Sequence, residues 1–283
     1  MPGSIRVFGL SEEPVVKHVP LNLRTRSAVG LIVFWFVVAV FSRQLAPYDP
    51  FKVSGPGLEG PSREFLFGTD AIGRDLLSGV VYGARTSAII VVGVGIIVAI
   101  IGTLLGIISG YFGGLVDDAI MRITELFQVI PRFFLIIIAI AYFGAGVDNL
   151  ILVLGFTSWA MLARVVRAEV LSLRERTFVE AALVSGASPW RVLFREILPN
   201  AAPVIVVYLA LLLSQVLLLE ASLSFIGLGD PNAISWGYLA GASQAYLRIG
   251  WWLAVFPGVA ILLAVLAINI ISDALNERIK TRR

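Results

Sequence analysis

Two stretches of this chain are too long and too apolar to be covered by one small core in water. They are SAIIVVGVGIIVAIIGTLLGIISG, ending at Gly110, and WWLAVFPGVAILLAVLAINII, beginning at Trp251. A run of about 20 apolar residues crosses the hydrocarbon core of a bilayer as a helix, because only a helix satisfies its own backbone groups there. By the same rule the chain carries six such stretches, near 28–46, 86–110, 120–143, 148–166, 203–226 and 251–273. The first has a strictly apolar core of only 14 residues, so Arg43 is expected to snorkel at its end. The third begins in polar sequence and passes Pro131-Arg132, so a kink or a cavity-lining inner end is expected there. The expected fold is an all-α polytopic membrane protein with six transmembrane helices; a five-span arrangement is the alternative.

Composition agrees. Hydrophobic residues make up 58% and charged residues 14% of the chain, with a mean hydropathy of +0.90. A soluble domain is nearer half apolar and about a quarter charged. The net charge of +3, spread along the chain, gives no nucleic-acid surface, and the absence of cysteine excludes disulfides, thiolate catalysis and cysteine metal sites. His18, the single histidine, cannot form a metal site alone. No catalytic residue set and no metal ligand set is read from the sequence.

Loop charges set the orientation. With the N-terminus inside, the inner segments hold 15 Lys and Arg, among them Arg6, Lys17, Arg24, Arg26, Arg174, Arg176 and Arg283, while the outer ones hold 6. Both termini and the 164–200 segment are therefore expected to face the cytoplasm. The first 27 residues lack an apolar core, so the first span reads as an uncleaved anchor rather than a signal peptide. The resulting division is an inner segment 1–27, a first span 28–46, an outer loop 47–85, a core 86–275 and an inner tail 276–283.

In the outer loop, Thr69 or Asp70 is expected to cap a short helix through Leu76, Leu77 and Val80. GTDAIGRD is not a phosphate loop: it lacks GxxxxGK[ST], and no Walker A pattern occurs anywhere in the chain.

The main polar element lies within 174–200. Thr177 through Glu180 fits a capping box. Gly186 is placed to stop that helix in the left-handed conformation. Ser188 then caps a second helix with Pro189 in its first turn. Trp190, Leu193, Phe194 and Ile197 form its apolar face, and Pro199 and Pro203 bound it. The residues alone leave two readings open: a capped hairpin packed on its own spans, or a docking element for a separate protein.

Inside the spans, Glu220 is the clearest ionisable residue. It either faces a translocation pathway, where it would meet an amine or cation, or serves structure at a partner or the outer interface. Ser214 and Gln215, one to two turns away, are candidates for the same face. Glu125, Arg132 and Asp273 lie near the inner ends of their spans, where snorkelling or interhelical pairing is expected. Gly95, Gly102 and Gly106 give the second span a small-residue packing face.

Glu180-Ala181-Ala182, three residues, Gly186, then Ile197-Leu198-Pro199 resembles the EAA signature of ABC-importer permeases, with Glu196 at the usual isoleucine position and Ile197 one place later. GTDAIGRDLLSGVVYGAR, SGYFGGLVDDAIMR, SLSFIGLGDPNAISWG and the last span resemble the dipeptide/oligopeptide/nickel permease family, in particular its second (C-type) permease subunit. The resemblance covers residues 60–278; the tail lacks the usual DP-R ending.

It implies a type I ABC importer permease fold in a prokaryotic inner membrane. It also implies a heterodimer with a homologous permease, two ATPase subunits that bind ATP and Mg, and an extracellular substrate-binding protein. Glu180, Ala181, Ala182, Gly186, Ser188 and Trp190 would make the ATPase contact. The chain itself would be no enzyme and hold no cofactor. Peptides lead as substrate, with nickel, metal chelates and oligosaccharides as alternatives. An ion-coupled secondary transporter is the competing class.

Overall fold

The computed structural model describes residues 23–282. The leader to residue 22, with Arg6, Lys17 and His18, and the terminal Arg283 lie outside the described residues. The regular elements among the described residues are helices, with a single isolated bridge between Thr69 and Asp75.

Five helices are long and apolar enough to cross a membrane, and a sixth span exists if one bent pair counts as one. In chain order they are α1 (Leu23–Val40), followed by a turn α2 (Ser42–Leu45); α3 (Leu76–Phe112); the bent pair α4 (Gly114–Val129) and α5 (Arg132–Phe143); α6 (Val147–Arg174); α9 (Leu198–Phe225); and α11 (Trp252–Arg282). Short helices α7 (Thr177–Val184), α8 (Pro189–Arg191) and α10 (Trp236–Ala242) lie between them. The third span does not merely kink. Ile130 and Pro131 are both extended, with ψ of 127° and 114°, and the two halves meet at 84°. Proline has no N–H for the ladder and disfavours the α region for its predecessor, and here Ile130 takes the extended conformation and the helix stops.

Helix ends depart from the span limits because caps, not hydropathy, terminate helices. The expected short helix under Thr69 or Asp70 does not form. Asp75 takes the capping role: its Oδ2 accepts from Ser78 N at 2.8 Å and Ser78 Oγ at 2.6 Å, and α3 runs unbroken for 37 residues. Thr69 and Asp70 instead build the loop. Thr69 Oγ1 donates to Pro56 O at 2.6 Å and accepts from Glu59 N at 2.9 Å, while Asp70 accepts from Ile72 N, Arg74 N and Arg74 Nε. Burial opposes the Arg74 charge, and Asp70 together with Tyr238 more than offsets this, so the guanidinium stays above its ordinary pKa. The loop is pinned to the start of α11 by Trp252 Nε1 on Thr69 O at 3.2 Å and by the Phe67–Phe256 stack at 3.9 Å.

The core sits between α3, α5, α6 and α9. A Cβ at Gly102 would lie 2.9 Å from Leu162 Cβ, and one at Gly106 would lie 2.6 Å from Ala163 O. Gly110 meets α6 in the same way, 2.8 Å from Arg167 O. The small-residue face is therefore real and brings α3 and α6 close, but Gly95 belongs to another contact, 2.9 Å from Leu213 of α9. On the opposite side Trp35 of α1 and Trp236 of α10 donate to successive turns of α3, at Ala84 O (3.0 Å) and Val80 O (2.9 Å). Buried indoles need such acceptors.

Candidate coupling hairpin and intramembrane polar site

The two-helix hairpin forms, with a different first cap. α6 closes with Arg176 N on Leu173 O at 3.1 Å, and α7 begins at the next residue. Arg176, with φ −85° and ψ 145°, is the N-cap, and no side chain caps this end. Thr177 is already helical, so the expected capping box with Glu180 is absent. Glu180 is exposed in the first turn.

The glycine stop is as expected. Gly186 has φ 79°, its N donates to Leu183 O at 2.9 Å, and Ala187 N donates to Ala182 O at 3.1 Å. Those are the two bonds of a Schellman closure. Ser188 Oγ then accepts from Arg191 N at 3.4 Å, with Pro189 at the first position.

The second helix is not a separate short one. Pro189–Phe225 is continuous, passing through a π-helical turn at Val192–Ile197 into α9. Pro199 falls in the first turn after that π segment and Pro203 lies inside α9, so neither ends the helix. The expected apolar face divides. Leu193 and Ile197 are fully buried with Val192 and Val179, whereas Trp190 and Phe194 are 55% and 43% exposed and stack on each other at 6.1 Å. Val184 beside the turn is 90% exposed. Ala181 is exposed and Ala182 half-buried. The hairpin thus has one side rooted in the core and another presenting Glu180, Val184, Trp190 and Phe194 to the surroundings.

Glu220 is 1% exposed on α9. Its Oε1 accepts from Ser224 Oγ and Ser235 Oγ, both at 2.8 Å, and its Oε2 is buried without a partner. Ser235 in turn caps α10, accepting from Tyr238 N at 3.1 Å, so the carboxylate ties α9 to α10. Ser214 and Gln215 do not join it. At ~100° per residue they lie about 120° and 140° around the helix from Glu220. Ser214 Oγ donates to Leu211 O at 2.7 Å and lies 2.9 Å from the side-chain amide of Asn269 on α11, while Gln215 is exposed. Glu125 and Asp273 are exposed, and Arg132 donates to Ser158 of α6.

One polar cluster escaped the sequence reading. Asp117, 9% exposed at the start of α4, accepts from Ser109 Oγ of α3 and in bidentate fashion from Arg167 of α6. The signal was present in SGYFGGLVDDAIMR, where an acidic residue follows a Gly-Gly turn, but its arginine lies 50 residues away.

The family model described as "Binding-protein-dependent transport system inner membrane component" matches residues 102–283, from the middle of α3 through the bend, the hairpin and Glu220 to the last span. The chain belongs to that family. It is the permease subunit of an ABC importer. The permease is 34% identical over 263 residues to the di/tripeptide transport system permease protein DppC of Pseudomonas aeruginosa, covering 89% of this chain and 87% of that one. Its fold matches an inward-facing crystal structure of the MetNI methionine ABC transporter with TM-score 0.58 and 19% identity, over 74% of the permease and 98% of the other chain. A second crystal form of that transporter gives TM-score 0.59.

Proposed function

We propose that this permease imports peptides, paired in a heterodimer with a homologous permease, and that ATP is hydrolysed with Mg on two separate ATPase subunits. The 174–200 hairpin is the coupling element, with Glu180, Ala181, Ala182, Gly186, Ser188 and Trp190 at the ATPase contact. Both termini and the hairpin face the cytoplasm, where loop arginines and lysines concentrate. An extracellular binding protein delivers substrate to the opposite side.

The observation that carries this reading is the hairpin's divided surface. Val179, Leu193 and Ile197 are fully buried, while among the described residues Val184, Trp190 and Phe194 stay 90%, 55% and 43% exposed beside exposed Glu180, with Phe112 meeting one edge of Trp190. Exposed apolar groups of that size on an otherwise capped and rooted element mark a protein contact. Peptide as substrate is supported by the similarity to the di/tripeptide permease.

The test is reconstitution with the partner permease, ATPases and binding protein, reading ATP-dependent uptake of labelled dipeptide into proteoliposomes. Uptake driven by an ion gradient with no ATPase present would end the coupling reading. ATP-driven uptake of nickel or sugar but not peptide would end the substrate reading.

A further inference from the structure

The bend between α4 and α5 holds a polar cluster used by nothing described so far. Gln128 lies at the end of α4 and Arg132 begins α5, with Pro131 between them. Both side chains reach α6: Gln128 Oε1 accepts from Arg164 Nη1 at 2.5 Å, and Arg132 Nη2 donates to Ser158 Oγ. Each keeps one buried donor that meets no acceptor, Nε2 of Gln128 and Nε of Arg132. The bond from Arg164 fixes the Gln128 amide with its oxygen toward the guanidinium, so the free group is an N–H donor.

Among the described residues no carboxylate pairs with Arg132. Among the described residues the ionisable side chain that acts on it is Tyr208 of α9, whose phenol is neutral near pH 7. A guanidinium held among apolar helices without a counter-charge is costly. The positive end of α5 adds to the same spot, because its first bonds, from Phe134 N and Leu135 N, both go to Pro131 O. The two unmatched side-chain groups at the bend are thus both donors, one of them cationic. Discontinuous membrane helices use such ends to hold anionic substrate groups.

We propose that the bend is a carboxylate-recognition site on the substrate's route, with Arg132 Nε taking the terminal carboxylate of a peptide and Gln128 Nε2 taking a backbone carbonyl oxygen. The assignment rests on the peptide-import reading above. Ser158 and Arg164, which hold the two side chains, are six residues apart on α6, so the two donors are anchored separately. The neighbouring Val129, Ile130 and Phe134 are 79%, 48% and 62% exposed, so apolar surface adjoins the bend.

The test compares uptake of a labelled dipeptide with uptake of its C-terminal amide by the complete importer in proteoliposomes. In Arg132→Gln the acid-to-amide rate ratio falls about tenfold relative to wild type, the loss expected for one charge-assisted pair. Arg132→Lys keeps the charge and holds the ratio within about threefold of wild type. Size-exclusion chromatography checks assembly, and Arg132→Met replaces Arg132→Gln if the latter fails to assemble. An unchanged ratio in the neutral variant, or an equal loss for acid and amide, overturns the site. A wild-type importer that moves neither form overturns the peptide reading and this site with it. Wild-type import with an unchanged variant ratio overturns the site alone.

Discussion

Arg167 of α6 grips Asp117 of α4 with two parallel hydrogen bonds, Nε to Oδ1 at 2.6 Å and Nη2 to Oδ2 at 2.5 Å. Ser109 of α3 donates to the same carboxylate, so one side chain joins three helices where the chain turns through Gly113 and Gly114. A bidentate guanidinium–carboxylate pair fixes orientation as well as distance.

Asp117→Asn should therefore loosen α4 against α6. The expected loss is about 1–3 kcal/mol for a partly buried charged hydrogen-bond pair, seen as a lower unfolding temperature of the detergent-solubilised permease. Arg167→Gln should cost a similar amount, and the double variant little more than either. Additive effects in that cycle would show that the pair does not act as a unit.

Gly186 sits at φ 79° and closes α7 through its own N–H and that of Ala187. Nothing within 4 Å crowds a Cβ there, so substitution acts through backbone strain alone. Gly186→Val should cost about 1–2 kcal/mol locally, leave membrane insertion and assembly intact, and raise ATP hydrolysis per peptide imported. Gly186→Asn should stay near wild type, since asparagine tolerates this conformation. Normal coupling in the valine variant would count against a coupling role for the turn.

Glu220 accepts both serine hydroxyls on one oxygen. Glu220→Gln retains a carbonyl acceptor and should assemble normally. Glu220→Leu leaves two buried hydroxyls to find other acceptors, costs about 1–3 kcal/mol, and should release α10 from α9. Proteolysis between Phe225 and Trp236 measures that release. If the glutamine variant assembles but peptide uptake collapses, Glu220 serves the substrate as well as the fold.

The chain has no cysteine, so single-cysteine labelling reads its orientation directly. Ala187→Cys should react with a membrane-impermeant maleimide only after the cytoplasmic face is exposed, and Ser54→Cys should react in intact cells. The reverse pattern would invert the topology.

Much of this fold was legible in the sequence, and the failures have local causes. The six apolar stretches were visible because a bilayer demands an unbroken apolar run, and Pro131 marked the weak point of the third. Helix ends were less visible. Hydropathy reports where lipid lies, whereas α3 starts where Asp75 meets Ser78 and α6 runs on to Arg174 because VVRAEVLSLR contains no breaker. Thr177 looked like a cap, but Glu175 and Arg176 alone separate α6 from α7, and Arg176 takes the extended backbone the cap requires. Gly186 and Ser188 were legible because each acts on immediate neighbours. Asp117–Arg167 and Gln128–Arg164 were not, because which side chains meet across 50 or 36 residues is decided by packing.

The unbroken Pro189–Phe225 helix makes the hairpin and the membrane interior a single lever. Glu220 stands 31 residues along it from Pro189, about 46 Å at ~1.5 Å per residue. A tilt of about 5° at the foot sweeps Glu220 through roughly 4 Å, more than a hydrogen bond survives. Ser235, which holds Glu220 from the cap of α10, must then travel with the lever or let go of it. A push too small to disturb the hairpin's own contacts is large enough, at the far end, to decide which.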